Sequence, residues 1–344
     1  MAERLLDVTE LEVSFQTEDG LVRAVDDVSF TLDRGEVLAI VGESGSGKSV
    51  TVMTLMGLTR SPNSRFGGSA KLSDTELTTA SEQELQRIRG KEIAMIFQDP
   101  ISSLSPVHRI GDQIVEQIRA HEKISKPAAL DRAVELMERV GIPRARDRVR
   151  AYPHEFSGGM RQRAMIAMAL SLSPSVLIAD EPTTALDVTI QAQILEEVKQ
   201  LRGGDSGVLF VTHDLGVVAD IADRVIVMYG GRVVEQGTLD EIFYDPQHPY
   251  TWGLLGSITR MDRDPPKRLP AIPGVPPSLV NPPEGCHFRP RCPHAFDKCR
   301  EVPPLEQRLP DAPGHRDRCW LDVEEKRRRR NVAGQIGLAR EVIA

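Results

Sequence analysis

Cysteine is missing from the first 285 of 344 residues, and all four in the chain fall between Cys286 and Cys319. No disulfide can form in those 285 residues, and the clustering marks a site or a staple in one segment. A reducing compartment disfavours the staple. Aromatics are scarce at 4%, which disfavours a base-stacking surface for nucleic acid. A basic excess is missing too. The 43 Lys and Arg stand against 50 Asp and Glu, and the net charge of −7 has the wrong sign for a duplex binder. No nucleic-acid partner is expected. No stretch approaches the roughly 20 apolar residues that cross a bilayer. The start, Met1 to Asp7, lacks the apolar core of a signal peptide. The expectation is a cytosolic chain whose membrane work passes through a partner.

What is present suits a globular protein of two domains, or of one large domain with an appendage. Leu11, Val13 and Phe15 alternate with polar residues, as do Val28, Phe30 and Leu32, with the turn signal Thr17-Glu18-Asp19-Gly20 between them. Two antiparallel strands are predicted there. Val37 to Val41, Val176 to Ala179 and Val208 to Val211 are continuous apolar runs, as expected for parallel strands buried on both faces. Residues 109–171 show helical spacing, as at Ile110, Ile114 and Ile118. Gly230-Gly231 between apolar runs is a hairpin signal. After about Trp252 prolines accumulate, from Pro265-Pro266 to Pro282-Pro283. Such a tract forms neither helix interior nor central strand, so a separate loop-rich appendage is expected. The run Lys326 to Arg330 reads as a solvated basic tail, with contact to anionic lipid headgroups as the alternative.

Two segments carry chemistry. Gly42-Glu43-Ser44-Gly45-Ser46-Gly47-Lys48-Ser49 matches G-x-x-x-x-G-K-[ST] between a buried strand and a helical pattern. Glycines let backbone N–H groups converge on phosphate oxygens, and the following helix points its positive end at the same anion. Lys48 would reach the β and γ phosphates of ATP and Ser49 would ligate Mg²⁺. The second segment is the apolar strand that ends in Asp180-Glu181. Asp180 is placed to hold Mg²⁺, and Glu181 to polarise the attacking water. Ser157, followed by Gly158 and Gly159, is an N-cap signal that leaves open amides at a second helix start.

Phe156-Ser157-Gly158-Gly159-Met160 resembles the signature motif of ABC ATPases, with Phe and Met where Leu and Gln are common. The resemblance implies a P-loop NTPase of α/β class with an antiparallel β subdomain and a helical signature subdomain at about 99–171. It implies Q-loop and metal-contact roles for Gln98, a D-loop at Ala185-Leu186-Asp187, a switch role for His213 and adenine stacking on Phe15. It also implies that two ATPase subunits pack head to tail. Ser157, Gly158 and Gly159 of one would then close over ATP held by Gly42, Ser44, Gly45, Ser46, Gly47, Lys48 and Ser49 of the other, and an isolated monomer should be nearly inactive.

Gln98-Asp99-Pro100-Ile101-Ser102-Ser103-Leu104-Ser105-Pro106 and Gln247-His248-Pro249-Tyr250-Thr251 resemble the ATPase subunits of bacterial dipeptide and oligopeptide importers. That resemblance implies domains at 1–251 and 252–344 and a place on the cytoplasmic face of the inner membrane. It also implies two permeases, a homologous second ATPase and an extracytoplasmic peptide-binding protein as partners. Importers of nickel, glutathione or antimicrobial peptides are the alternative. By the same resemblance Cys286, Cys292, Cys299 and Cys319 bind a [4Fe–4S] cluster. Zinc is the alternative occupant, since His287, His294 and His315 lie nearby, and a disulfide the third.

Overall fold

Five apolar side chains in a row bury the strand Val37–Val41 on both faces, and Val176–Asp180 and Gly207–Thr212 are likewise buried at every position, each with a run of four apolar side chains. The computed structural model describes residues 3–182, 188–201, 203–257 and 271–332. They fall into two compact units. One comprises Met1–Leu6, Thr31–Val37 and Lys71–Val211; the other comprises Asp7–Phe30, Leu38–Ala70 and Thr212–Ala344.

The first unit holds a parallel ladder. Val176–Asp180 is paired on one side with Ile93–Ile96 and on the other with Gly207–Thr212. The same unit holds the helices Ile110–His121, Lys126–Arg139 and Gly158–Ala169, which pack on one another, with Gly158–Ala169 also against Ile93–Ile96. Ile110, Ile114 and Ile118 are buried, as their spacing predicted. Lys126–Arg139 starts on Ser125, which accepts the Ala128 amide, an ordinary N-cap.

In the second unit Val37–Val41 runs parallel to Arg224–Tyr229 from Leu38 onward. Arg224–Tyr229 continues as a hairpin into Arg232–Thr238. Gly230 (φ 56°) and Gly231 (φ 83°) make the turn, whose two positive φ values favour glycine. The predicted strands appear as Arg4–Thr17 and Gly20–Asp33, with Arg4–Thr17 between Gly20–Asp33 and Ser64–Leu72 in the sheet. Leu11, Val13, Val28, Phe30 and Leu32 are buried, and Phe15 is half-buried.

The cysteine-bearing segment does not stand apart. It belongs to the same unit as the phosphate loop, so the separate appendage expected from its proline content is not supported. Short of regular structure, the segment borrows a core. Phe288 packs edge-on to Tyr229 with ring centres 5.2 Å apart, and lies 5.4 Å from Tyr250. Arg316–Asp317 adds an edge to Arg232–Thr238 at Glu235 and Gln236, and Arg318 donates to Val233 O and pairs with Asp27.

The expected basic tail is corrected as well. Lys326 to Arg330 lies on the helix Val323–Val332, and the Lys326 side chain is fully buried against Asp317 at 2.6 Å. Arg327 and Arg330 pair with Asp245, and Arg328 and Arg329 with Glu325. The charges sit on one short helix because each has a carboxylate to meet. Of the other readings, Pro265-Pro266, Pro270 and the D-loop residues Ala185, Leu186 and Asp187 lie outside the described residues.

Candidate functional site

Backbone shape defines the phosphate loop. Gly42, Gly45 and Gly47 all have positive φ, at 154°, 77° and 100°. A Cβ on Gly42 would lie 2.2 Å from the Met228 carbonyl oxygen, and one on Gly47 2.4 Å from that of Ala24. Only glycine fits either position. The helix Lys48–Leu55 follows with no side chain capping its start, and it points its positive end at the loop, where an anion is favoured. Lys48 is buried, and its ammonium donates to the carbonyls of Gly42 (2.8 Å) and Glu43 (3.0 Å). The Ser46 hydroxyl is buried with no hydrogen-bond partner among the described residues. A buried hydroxyl with nothing to bond is costly, and a phosphate oxygen is the acceptor this loop would offer it. Ser44 and Gly45 are exposed and Ser49 half-buried.

In the first unit Asp180 ends its strand fully buried. Glu181 follows in the left-handed region at φ 46°, a conformation rarely taken by non-glycine residues and frequent at functional positions. Its amide donates to Val211 O at 2.8 Å. The Gln98 side-chain amide donates to the Glu181 carboxylate at 3.0 Å. Two residues 83 apart in sequence, both expected at the hydrolytic centre, therefore touch.

Ser157 caps Gly158–Ala169 by accepting the Met160 amide, as its type and place predicted. Ser157 and Gly158 are exposed and Gly159 half-buried. A Cβ on Gly158 would meet nothing within 4 Å, so neighbouring groups do not explain this glycine. On the same helix buried Gln162 donates to Pro182 O at 2.8 Å, tying the signature helix to the residue after Glu181. The sequence reading missed this link. His213 is exposed just beyond Gly207–Thr212, and Asp214 caps the next helix through the Gly216 and Val217 amides.

The four cysteines are free thiols and line one cavity with Phe288, His294 and Trp320. Burial pushes the Cys292 and Cys319 thiols up to about 12 and raises Cys286 as well. Among the described residues no three His, Cys, Asp or Glu form a group that could hold a metal ion. Two of the nearby histidines have other partners, while His294 lines the cavity. His287 Nδ1 bonds Gly230 O at 2.8 Å, and His315 Nε2 meets the buried Glu235 carboxylate at 2.8 Å. His248, fully buried, is lowered to about 4 by desolvation. The neutral ring accepts the Tyr250 amide and caps Pro249–Gly256.

Two more contacts at the phosphate loop were not foreseen. The Glu43 amide donates to the Tyr250 hydroxyl at 2.8 Å. The Glu43 carboxylate is gripped by Arg291, at 2.5 and 3.0 Å. Tyr250 belonged to a quoted motif; Arg291 carried no signal beyond its place beside Cys292.

Comparison with known proteins agrees with this geometry. A family profile described as ABC transporter matches residues 25–184, and one described as oligopeptide/dipeptide transporter, C-terminal region, matches residues 234–299. The oligopeptide transport ATP-binding protein OppD of Bacillus subtilis is 55% identical over 320 residues, covering 92% of this chain and 89% of that protein. The dipeptide transport ATP-binding protein DppD of Lactococcus lactis is 52% identical, covering 93% and 91%. Among solved structures, the dimeric post-hydrolysis state of the ATP-binding cassette MJ0796 bound to ADP and Pi superposes with a TM-score of 0.62. It is 25% identical, covering 68% of this chain and 98% of that one. The chain has the ABC ATPase fold and belongs to the family of oligopeptide and dipeptide transport ATP-binding proteins, the ATP-hydrolysing subunits of ABC transporters.

Proposed function

We propose that this ATPase powers the uptake of oligopeptides or dipeptides. The observation that carries the reading is identity above 50% over nine-tenths of the chain to ATP-binding proteins named for that transport. A match to the peptide-transporter C-terminal profile at 234–299 accompanies it. Among the described residues no helix is long and apolar enough to cross a membrane, so the transport path belongs to partners. These are two permeases, a second homologous ATPase and an extracytoplasmic peptide-binding protein, with this chain on the cytoplasmic face of the membrane. Val107, 73% exposed just after Pro100–Ser103, suits the permease-docking edge. Residues 1–251 are assigned to the ATPase and 252–344 to the importer-specific extension.

In the proposed mechanism the amides after Gly47, the Ser46 hydroxyl and Lys48 bind the phosphates, and Phe15 stacks on adenine. Ser49 and Asp180 would hold Mg²⁺ through hard oxygen donors, which would supply charge neutralisation for the phosphates. Glu181 polarises the attacking water, which Gln98 approaches, and His213 contacts the γ-phosphate. Ser157, Gly158 and Gly159 serve the ATP of the partner ATPase, with Asp187 alongside. Expression with the neighbouring genes, followed by affinity purification of this chain, should bring down two polytopic permeases and ATP-dependent peptide uptake in liposomes. Copurification with ribosomes or DNA, or uptake of metal ions alone, would refute the reading.

The cysteines are proposed to hold a [4Fe–4S] cluster as a structural cross-link. What supports this is four thiols around one cavity in a segment with little regular structure. Anaerobic purification should yield about four irons and four sulfides per chain. Zinc without acid-labile sulfide would rule the cluster out.

A further inference from the structure

We propose that Arg291 is a positioning residue of the ATP site, holding the outer turn of the phosphate loop in its binding shape through Glu43. The pair joins residues 248 apart in sequence and lies within one compact unit. Arg291 Nη1 and Nη2 meet the two carboxylate oxygens of Glu43 at 2.5 and 3.0 Å. This is the two-pronged geometry in which guanidinium and carboxylate bind most specifically.

The rest of the guanidinium is spoken for by groups that fix its place. Nε donates to Pro273 O at 2.8 Å and Nη2 to Ile272 O at 3.1 Å. Nη1 also reaches the Tyr229 hydroxyl at 3.3 Å, and the guanidinium lies 5.7 Å from the centre of that ring. The Arg291 side chain is 4% exposed while Glu43 keeps 29%. A rigid, buried cation therefore anchors a partly exposed loop residue. Glu43 holds Arg291 firmly in the charged state. Gly274, at φ 82°, turns the chain so that the carbonyls just before it face the arginine.

Glu43 is where this anchor matters. Its carbonyl accepts the Lys48 ammonium (3.0 Å) and the Ser46 amide (3.2 Å), and its amide is held by Tyr250 (2.8 Å). Fixing its side chain therefore fixes the carbonyl that aims Lys48. Unanchored, Glu43 would also leave a mobile carboxylate beside a site built for an anion.

The test uses the full chain and a fluorescent ATP analogue. Arg291→Ala is expected to weaken binding about tenfold or more, the scale of a charge-assisted hydrogen bond. Glu43→Gln should lose about threefold, since one acceptor remains for the fork. The double variant should bind no more weakly than Arg291→Ala, because both changes cut the same tie. In the assembled transporter the KM for ATP should rise while kcat at saturating ATP stays within about twofold. Additive losses in the double variant would overturn the proposal. So would a folded Arg291→Ala chain with wild-type affinity, or a lowered melting temperature with unchanged affinity. Glu43→Gln alters a single side-chain atom on a partly exposed residue and keeps the fold. No loss in that variant would overturn the proposal even if Arg291→Ala did not fold. Nothing here depends on the transported solute or on what the cysteines hold.

Discussion

Replacing Glu181 with glutamine is expected to cut ATP turnover by about a hundredfold to ten-thousandfold, the range a positioned general base supplies, while ATP binding changes little. The substitution keeps the shape of the side chain. Its Oε1 can still accept the Gln98 amide, which now meets the carboxylate at 3.0 Å. What disappears is the basicity that takes a proton from water as the γ-phosphate departs. Binding should survive because the groups that hold the phosphates, Lys48 and the amides after Gly47, belong to a different segment. In the assembled transporter the variant should trap ATP and favour the closed ATPase pair. Single-turnover phosphate release measured beside ATP retention separates the two effects. Hydrolysis within tenfold of wild type would move the base elsewhere, and lost binding would show that Glu181 holds the nucleotide. The left-handed backbone at Glu181 (φ 46°) gives a companion expectation. Glycine there relieves the backbone but removes the carboxylate, so Glu181→Gly should be as inactive as Glu181→Gln and no less stable.

These expectations rest on features of unequal visibility in the sequence. The phosphate loop was legible in full because its requirements are local. Gly42 and Gly47 sit where any Cβ would strike a carbonyl oxygen, and an eight-residue motif records that constraint. Buried strands were legible for the same reason, as was the Ser157 cap. The meeting of Gln98 with Glu181 was reached only through family resemblance, since no local pattern encodes a contact across 83 residues. Arg291 was not legible at all. An arginine in a proline-rich stretch looks like a solvated charge until the fold brings Glu43 to it. The cysteine segment misled in a related way. Its prolines do rule out helix interior and central strand, but that says nothing of whose core it joins. Phe288 answers the question by packing on Tyr229 and Tyr250, residues that lie outside the tract.

The basic run repeats the lesson with a larger energetic consequence. Lys326→Met is expected to destabilise the chain by about 3–5 kcal/mol near neutral pH, the cost of stranding one member of a buried ion pair. The Lys326 and Asp317 side chains are 0% and 2% exposed and meet at 2.6 Å. Neither can turn to water when its partner is removed. Methionine fills the space of the lysine stem, so the loss reports a buried carboxylate left with Arg308 alone, 3.6 Å away, rather than a cavity. Burial raises Asp317 to about 6 even with Lys326 beside it, opposed by Lys326 and Arg308 and assisted by Glu235. Removing the lysine pushes that value higher. The sign follows from proton counting. Between the unfolded value of 3.8 and the folded one, the native state holds a proton that the unfolded state has released, so stability falls as pH rises through that window. In the variant the window extends upward, and its deficit against wild type should be small near pH 5 and largest near pH 8. Urea unfolding at both pH values reads this directly. A deficit that stays constant with pH would mean that the lysine contributes packing alone. If Asp317→Leu added to Lys326→Met recovers most of the loss, the pair serves to place the helix Val323–Val332 against its strand rather than to stabilise it beyond what apolar contact would.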